Sequence, residues 1–360
     1  MAKRSIVPFG PQHPVLPEPI HLDLVLEDER VIEAIPSIGF VHRGLEKLVE
    51  KKEFTEYVYI AERICGICSF QHGSGYCQAV EAIMNVDIPP RARYLRTIWG
   101  ELSRMHSHLL WLGLLADAFG FESLFMQCWR LRERVLDIFE MTTGGRVIFS
   151  VVKIGGVRRD ITAEQMKTIL PVLDSIVRDL RDFEKVFFQN YTVKSRLCGV
   201  GVLSAEKIHE LGAAGPVARG SGVALDMRKL GYAAYGELPE VEPIIEKDGD
   251  CYARCLVRLR ELYQSVDIIR AAAAQMPESE LSAKVTGNPN GEYFSRVEQP
   301  RGEAIYYVRG NGTKFLDRFR VRTPTFANLG ALLAILPGCE LADVPMMVLT
   351  IDPCISCTER

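Results

Sequence analysis

Two pairs of cysteines, separated by almost the whole sequence, place the strongest constraint on how this chain can fold. Cys65 with Cys68 and Cys354 with Cys357 both have the C-x-x-C spacing. This spacing brings two sulfurs together on a turn or at a helix start, so two pairs can offer four thiolates to one metal centre. If the pairs meet, the C-terminal segment must be buried, although chain termini usually fray.

The spacing alone leaves the identity of the metal open. A structural zinc site uses the same ligands, although its two pairs usually lie about 15–20 residues apart. A thioredoxin-like redox motif needs a βαβ context, which the sequence lacks around both pairs. Zinc and an iron–sulfur cluster therefore both remain open, because coordination chemistry by itself does not select one thiolate-binding metal over another.

The remaining cysteines are predicted to be structural. Ten cysteines in a chain of 360 residues do not resemble a secreted disulfide scaffold. Cys251 and Cys255 are spaced by one helical turn, which permits a metal pair, but their neighbours offer no further ligands. We therefore expect buried, uncharged thiols at these positions: Cys77, Cys128, Cys198, Cys251, Cys255 and Cys339.

Composition and charge exclude several classes of protein. The net charge of −3 gives no global basic field for nucleic acid. No apolar run reaches the roughly 18–20 residues that span a bilayer, and the N-terminal residues lack an apolar signal core. These features predict a cytoplasmic chain, whose link to a membrane would come through partner proteins.

The hydrophobic pattern predicts a mainly α-helical chain with small β accessories (α+β), folded as one domain over residues 1–360. We expect a loop and β-hairpin in 1–43, a helical core in 44–285, and a second β-hairpin with a metal-binding tail in 286–360. Long amphipathic helices are predicted at 91–117, 122–141, 162–190 and 250–276.

Shorter elements follow from local patterns. Strict alternation of polar and apolar residues predicts a hairpin over 21–35. A second hairpin is predicted over 303–322, with Asn311-Gly312 at its turn. A short helix at 326–336 and a strand at 346–351 complete the expected elements.

The residues around the first cysteine pair suit a metal site. Gly66, between the two cysteines, allows the backbone to approach a metal closely. His72 lies one turn after Cys68 and can donate a hydrogen bond to a thiolate. A lone histidine is more often a core residue with its hydrogen bonds satisfied, but this position favours a role beside the ligands.

These motifs carry a family resemblance. ERICGICSFQH at 62–72 resembles the N-terminal cysteine motif of nickel–iron hydrogenase large subunits, and DPCISCTER at 352–360 resembles their C-terminal motif. Hydrogenases of the energy-converting, membrane-bound group, such as the Ech and carbon-monoxide-induced types, also share segments with the 49 kDa quinone-site subunit of respiratory complex I. Such segments occur here as FGPQHP at 9–14, HRGLEKL at 42–48, GGVRRD at 155–160 and RGSG at 219–222.

The resemblance implies the large-subunit fold shared with the complex I 49 kDa subunit, and a nickel–iron centre whose iron carries CO and two cyanides. By position, Cys65 and Cys354 are similar to terminal nickel ligands, whereas Cys68 and Cys357 are similar to the bridging ones. Cys357, Cys354 or Arg301 would take the proton when dihydrogen is cleaved.

Further site residues are implied in the same way. Arg301 matches the arginine over the open metal position, and Thr323 and Thr325 match a segment that hydrogen-bonds a cyanide. Glu18 matches a proposed proton gate. Glu46 matches a ligand of a magnesium or iron ion near the C-terminus.

Two of these implications are open. The ion near Glu46 also uses a terminal histidine in the family, but Arg360 occupies that position here, and a salt bridge could replace the ion. The family's precursors are cleaved after the equivalent of Arg360, and the sequence leaves open whether this chain is processed.

The resemblance also implies partners and an activity. We expect an iron–sulfur small subunit with a [4Fe–4S] cluster, a ferredoxin-like electron-transfer subunit, antiporter-like membrane subunits, and ferredoxin as electron donor, at the cytoplasmic face of the cell membrane. The activity would be reversible formation of dihydrogen coupled to ion pumping. The alternatives are a complex I-like quinone-site subunit without metal, which the four cysteines oppose, and a zinc-stapled scaffold without catalysis.

Overall fold

The computed structural model describes residues 4–239 and 241–360. An antiparallel sheet opens the chain, with β1 (Arg4–Phe9), β2 (His21–Glu27) and β3 (Arg30–Ser37) in that order. The alternation in β2 buries its three leucines and leaves the polar positions between them more accessible. The predicted hairpin is confirmed as β2 and β3, whereas β1 was not predicted.

The helical core contains four long helices, and all four confirm the sequence prediction within two residues at each end. They are α4 (Pro90–Ala118), α5 (Glu122–Thr143), α6 (Ala163–Gln189) and α10 (Cys251–Gln275). Helix α4 is buried along most of its length and packs against α5 and α10. Helix α6 begins at a capping box, in which Thr162 and Gln165 satisfy each other's backbone N–H groups.

Shorter elements connect these helices. The first cysteine pair lies between α2 (Tyr57–Glu62) and α3 (Ser69–Met84). The other short elements are α1 (Leu45–Leu48), β4 (Val152–Lys153), β5 (Gly156–Val157), α7 (Tyr191–Leu197), α8 (Ala205–Leu211) and α9 (Pro216–Arg219). None of the helices in the described ranges has the length and apolar character needed to cross a lipid bilayer.

A second antiparallel sheet follows the helical core. It is formed by β6 (Asn290–Gln299), β7 (Gly302–Asn311) and β8 (Leu316–Arg322). The predicted hairpin is confirmed as β7 and β8, and β6 was not predicted. Helix α11 (Pro324–Ile335) confirms the predicted short helix.

The strand predicted at 346–351 is wrong, because these residues form helix α12 (Val344–Thr350). Pro345 lies at the start of the helix, where its fixed φ is favourable and its missing N–H costs nothing. The helix packs against α4 and α10, so most of its residues are buried and the run shows no amphipathic period. The last helix, α13 (Ile355–Glu359), carries Cys357.

Buried ion pairs fix the turn between β6 and β7 to the helical core. Arg104 on α4 donates to the carbonyl oxygens of Gln299 at 3.3 Å and Glu298 at 3.0 Å. Its own charge is balanced by Glu101 at 3.3 Å and Glu261 at 3.9 Å. An unpaired charge is costly in a protein interior, so Arg104 stays with its two glutamate partners. Its hydrogen bonds to Glu298 and Gln299 therefore hold the turn between β6 and β7 in place.

Candidate metal centre

The two cysteine pairs meet in the folded chain, as the sequence predicts. The Sγ atoms of Cys65 and Cys354 are 3.3 Å apart, as are those of Cys68 and Cys357. All four side chains are buried, and they form a cluster of their own beside the main apolar core. None of the four is in a disulfide, so four thiol groups from opposite ends of the sequence share one site.

Burial and close packing shift the pKa values of these thiols in different directions. Burial and hydrogen bonds with the neighbouring sulfurs raise the pKa of Cys357 well above its usual value. Although burial acts in the opposite direction, hydrogen bonds from the other three sulfurs lower the pKa of Cys68 well below it. For all four sulfurs to be thiolates in this buried space, a compensating positive charge is needed, and a soft divalent metal supplies one.

Arg301 lies beside the sulfur cluster and is held by Asp352. Its Nη2 is 2.8 Å from Asp352 Oδ1, and its Nε donates to the Asp352 carbonyl oxygen at 2.8 Å. Burial disfavours the charged guanidinium, but Asp352 and the cysteine thiolates raise its pKa well above the ordinary value. Arg301 therefore provides a permanent positive charge at the cluster.

The backbone around Arg301 depends on glycine. Gly215 has φ of 69°, and a Cβ there would lie 2.2 Å from the carbonyl oxygen of Arg301. Gly302 follows Arg301 directly at φ of 127° and faces Gly215 across the same close approach. Two glycines thus let the turn of β6 and β7 meet the loop before α9 without a gap.

A cavity of about 260 Å³ reaches the cluster. Its polar lining comes from Glu18, Cys65, Arg301, Asp352 and Cys354. The apolar lining includes Leu110, Trp111, Leu114 and Leu349. A small apolar molecule could therefore reach two of the sulfurs and the guanidinium in the same space.

Glu18 lies at this cavity and touches the second cysteine motif. Its carboxylate accepts hydrogen bonds from the backbone N–H groups of Ile355 and Ser356 and from the Ser356 hydroxyl. These donors directly follow Cys354. Glu18 is therefore both a cavity-lining carboxyl group and a contact that positions the first turn of α13.

His72 contacts the sulfur cluster, as its spacing predicts. Its Nε2 lies 3.3 Å from Cys357 Sγ, and its Nδ1 lies 3.0 Å from the hydroxyl of Tyr306. Gln299 Nε2 donates to the same hydroxyl at 2.9 Å. Hydrogen bonds thus connect the buried side chains of Gln299, Tyr306 and His72 with the Sγ atom of Cys357.

The two threonines occupy different positions around the second cysteine motif. Thr325 Oγ1 accepts a hydrogen bond from the backbone N–H of Cys354 at 3.1 Å. Thr323 Oγ1 is buried and has no hydrogen-bonding partner among the residues that the structure describes. Asp352 Oδ2 is likewise buried and has no hydrogen-bonding partner among these residues. Such unsatisfied groups are uncommon in protein interiors, so both remain available to a ligand atom.

Cationic side chains surround Glu46 in this structure. Its Oε1 accepts from Arg360 Nε at 2.8 Å and from Val321 N at 2.9 Å, and its Oε2 accepts from Arg320 Nη1 at 3.0 Å. Burial opposes ionisation, but the two arginines and the backbone N–H lower the pKa of Glu46 below its ordinary value. These contacts favour the salt bridge over a bound magnesium or iron ion.

Residues outside the sequence prediction complete the site. Asp352 was within the recognised C-terminal motif, and its position before Pro353-Cys354 was the available signal. Gln299 and Tyr306 had no comparable signal, because only the folding of the second sheet onto α3 brings them to His72. Glu359 was also missed, and its carboxylate accepts from the backbone N–H groups of Gly39 and Val41.

The other cysteines stay apart from this site. Cys77, Cys128, Cys251 and Cys255 are buried as expected, and Cys339 is half-buried, but the expected burial of Cys198 is wrong because this residue, which follows α7, is exposed. Among the described residues, the group of three or more possible ligands that could hold an ion is Cys65, Cys68 and Cys357, whose sulfurs lie within 4.8 Å of one another. The option of a separate metal pair at Cys251 and Cys255 gains no support.

Two known protein families match different parts of the chain. Residues 43–117 match the family described as nickel-dependent hydrogenase. Residues 118–288 and 282–360 match the family described as respiratory-chain NADH dehydrogenase, 49 Kd subunit. The first match contains the first cysteine pair and the second contains the other pair.

Individual proteins resemble the chain over nearly its full length. It is 40% identical to the membrane-bound hydrogenase subunit alpha of Pyrococcus furiosus, over 98% of this chain and 87% of that protein. It is 39% identical to the carbon monoxide-induced hydrogenase of Rhodospirillum rubrum, over 98% and 99% of the two chains.

A solved structure shows the same fold. One chain of the membrane-bound sulfane sulfur reductase, described as an archaeal respiratory membrane complex, superposes with a TM-score of 0.94 at 32% identity. The match covers 99% of this chain and 98% of that one. The chain therefore belongs to the family that unites the large subunits of membrane-bound, nickel-dependent hydrogenases with the 49 kDa subunit of respiratory-chain NADH dehydrogenase.

Proposed function

We propose that this chain is the catalytic subunit of an energy-converting nickel–iron hydrogenase, which interconverts dihydrogen with two protons and two electrons. The observation that carries the proposal is the convergence of Cys65, Cys68, Cys354 and Cys357 in one buried cluster. Four thiolates from two C-x-x-C motifs, beside a fixed guanidinium and a small apolar cavity, are what such a centre requires.

The four cysteines would hold the metal centre. A nickel–iron centre would supply the redox chemistry and the Lewis acidity that polarises dihydrogen. The chain would supply the ligands, the dry cavity and the groups that move protons. Thr323 Oγ1 has no partner among the described residues, which supports its role as a donor to a ligand of the iron.

Arg301 would act as a fixed cation above the cavity. Its two contacts with Asp352 and its raised pKa keep the guanidinium charged and oriented. Because a permanently charged group is a poor proton acceptor, we assign the first proton to the thiolate of Cys357 or Cys354 rather than to Arg301. The guanidinium would then stabilise negative charge in the cavity.

Glu18 would exchange protons between this cavity and the solvent. It lines the cavity together with Cys354, and its backbone contacts hold it next to that residue. A carboxyl group can both accept and donate a proton, which a relay needs. This role is compatible with its contacts to α13, because each carboxyl oxygen has more than one lone pair.

Electrons would enter and leave through other subunits. We propose an iron–sulfur small subunit with a [4Fe–4S] cluster, a ferredoxin-like electron-transfer subunit, ferredoxin itself, and antiporter-like membrane subunits that pump ions. This assembly would place the chain at the cytoplasmic face of the membrane. The Pyrococcus and Rhodospirillum relatives, whose names describe a membrane-bound and a carbon monoxide-induced hydrogenase, support this assignment.

Elemental analysis of the purified complex, combined with hydrogen turnover, tests the proposal. We expect one nickel and one iron at the site of each chain, and Cys354→Ser should abolish nickel retention and turnover. Cys198→Ser, which changes an exposed cysteine outside the cluster, should leave both unchanged. Active protein with stoichiometric zinc and no nickel would overturn the proposal, and metal-free protein would favour a quinone-site subunit.

A further inference from the structure

The first half of β6 forms an open edge of the second sheet. The strand order is β6-β7-β8, so β6 and β8 are the two edges. In the described part of the chain, β6 pairs with β7 alone. Residues 290–294 are exposed, whereas residues 297–299 are buried. An exposed strand edge presents unpaired backbone N–H and C=O groups, which can bind a further strand.

The other edge of the sheet is covered from within the chain. Helix α1 packs against β8, and the backbone N–H of Val321 on β8 donates to Glu46 Oε1 on α1. Phe315, directly before β8, forms a β-bridge with Glu53. Of the two edges, β6 is therefore the one that the described residues leave open.

The outward row of β6 carries an acid, an aromatic ring and a base. Successive residues of a strand point to opposite faces, so Glu292, Phe294 and Arg296 share one face. Phe294 is 61% exposed, and its ring centroid lies 4.7 Å from that of Tyr307 on β7. The Tyr307 hydroxyl donates to the Glu292 carboxylate. Strand β7 thus holds both the ring and the carboxylate in place on the free chain.

We propose that β6 pairs antiparallel with β6 of a second copy of this chain, about a twofold axis at Phe294. In such a pair, each residue opposes the one that lies equally far on the other side of the axis. Phe294 meets its own equivalent, and Glu292 of each copy opposes Arg296 of the other. The pairing involves no residue of the metal centre, so it does not depend on the proposed function.

Charge selects both the partner and the register. Opposite charges at directly opposed positions stabilise a strand pair, and the axis at Phe294 forms two such Glu–Arg pairs. An axis at Tyr293 or at Ser295 would instead place Phe294 opposite Glu292 or opposite Arg296 of the other copy. A membrane surface or a strongly acidic protein would be attracted by Arg296 but repelled by Glu292.

The paired segment is short, so the association of two isolated chains should be weak. Residues 292–296 of each copy can pair before the buried end of β6 is reached. Stable interfaces bury roughly 1,200 Å² or more, and a strand pair of this length falls below that area. We expect a dissociation constant on the order of 10–100 μM.

Cysteine cross-linking of the full chain tests the pairing. In a Cys198→Ser background, which removes the exposed native thiol, Phe294→Cys places one thiol opposite its equivalent, close to disulfide geometry. Mild oxidation should form covalent dimers at least about 10-fold faster than in the control Tyr191→Cys, an 83% exposed site on α7. Equal rates in the two variants would overturn the proposal.

A mixture of two single-cysteine chains tests the register. Glu292→Cys on one chain should cross-link to Arg296→Cys on the other, because these positions oppose each other across the axis. Each variant alone should cross-link more slowly than the mixture, since its thiol then faces a charged side chain. Mixed and unmixed samples that react alike would contradict the pairing about Phe294.

Charge reversal tests the complementarity by sedimentation velocity of the full chain at about 100 μM. Glu292→Arg and Arg296→Glu should each weaken dimerisation at least about 10-fold, because both put like charges opposite each other. The double variant exchanges the two charges and should restore dimerisation. A wild type that stays monomeric, or a double variant as weak as the single ones, would overturn the proposal. So would cross-linking of Phe294→Cys to a different subunit in the purified complex.

Discussion

Arg301 is held on two sides of its planar guanidinium, and this geometry decides what a conservative substitution does. Lysine keeps the charge but cannot contact both the carboxylate and the carbonyl oxygen of Asp352. We expect Arg301→Lys to retain nickel and iron while hydrogen turnover falls on the order of 100-fold or more. Metal analysis and a turnover assay on the same preparation measure both quantities.

The exposed Arg309 on β7 provides the control for Arg301. Arg309→Lys changes the same kind of side chain far from the cavity, so turnover should stay at the wild-type level. Normal turnover in Arg301→Lys would show that the guanidinium has no catalytic role.

Glu18 has two tasks that a single substitution can separate. Glutamine keeps the shape of the side chain and one oxygen that can accept from α13, but it cannot exchange a proton in the same way. We expect Glu18→Gln to keep the metals and complex assembly and to suppress hydrogen evolution and H/D exchange with water. Glu18→Asp should recover part of the rate.

Ser356→Ala separates the structural contact from the relay. This variant removes the hydroxyl that donates to Glu18 but leaves the carboxyl group in place. Its exchange rate should therefore stay close to that of wild type. Wild-type exchange in Glu18→Gln would show that protons follow another route, with Glu46 or His72 as the next candidates.

Glu62, three residues before Cys65, is expected to make stability depend on pH. Burial raises its pKa to about 7, although Ser150, Arg63 and Arg158 partly oppose the shift. The unfolded chain ionises this group near its ordinary value, so its contribution to stability falls as pH rises from 4.5 to about 7. Glu62→Gln should therefore stabilise the protein at pH 8 by up to about 3 kcal/mol and have little effect below pH 4.5.

Urea unfolding of the wild type and of Glu62→Gln across this pH range measures the effect. The exposed Glu56 offers a control, because Glu56→Gln should give the same small difference at each pH. A Glu62→Gln difference that does not depend on pH would show that Glu62 ionises normally in the folded protein.

At the scale of elements, helix α13 is fixed to α1 by the contacts of Glu46. Glu46→Ala removes the hydrogen bonds from Arg360, Arg320 and the Val321 backbone. We expect a loss of about 1–3 kcal/mol in the free energy of unfolding. Since arginines occupy both carboxylate oxygens, millimolar magnesium should not raise the unfolding temperature of the wild type.

Calorimetry with and without magnesium, with Glu56→Ala as the control for an exposed glutamate of the same region, measures both effects. Stabilisation of the wild type by magnesium would contradict the salt-bridge interpretation of Glu46. In that case the ion would have to displace at least one of the two arginines.

The long helices could be predicted because helical periodicity extends over more than 20 residues and clear breakers or caps end them; α5 and α6 also have one apolar face, whereas α4 and α10 are buried along most of their length. Pro89 and Pro90 at the start of α4 and Gly144 after α5 are examples. Strand β6 could not be predicted, because its first half is exposed and shows no alternation. Helix α12 was predicted as a strand because most of its residues are buried. A short apolar run of this kind shows neither helical nor strand periodicity, so the pattern does not distinguish the two.

The residues of the candidate site also form two groups, those that local sequence patterns identify and those that only the folded chain brings together. The spacing of the four cysteines, the motif around Arg301 and the position of His72 after Cys68 are local, so the sequence was sufficient to find them. Tyr306 is 234 residues from its partner His72, and Gln299 is 227 residues away. Contacts at such separation depend on how the second sheet packs against α3, which no local pattern specifies.

At the scale of the whole molecule, the metal would join two distant parts of the chain. Cys65 and Cys354 are separated by 289 positions, so a shared metal closes a loop of almost the entire sequence. The chain-entropy estimate for a cross-link of this length is about 6 kcal/mol, which is an upper value because unfolded chains retain some structure. Metal removal should therefore lower the unfolding midpoint strongly.

Chelation of the purified complex, followed by urea unfolding, measures this contribution. Cys354→Ser should reproduce the effect of the chelator, whereas chelation of that variant should cause no further loss. An unfolding midpoint that does not change on metal removal would show that the centre does not link the two cysteine motifs.

The contacts between residues 39–42 and α13 have a consequence for the order in which the chain folds and binds its metal. Gly39, Val41 and His42 bind Glu359 through three polar contacts, and Ile355 is the residue of α13 that belongs to the main apolar core. A newly made chain can thus form most of its interior while its final helix stays undocked, with Cys65 and Cys68 still accessible. We expect the metal to enter at this open stage, after which docking of α13 brings Cys354 and Cys357 to it and closes the site.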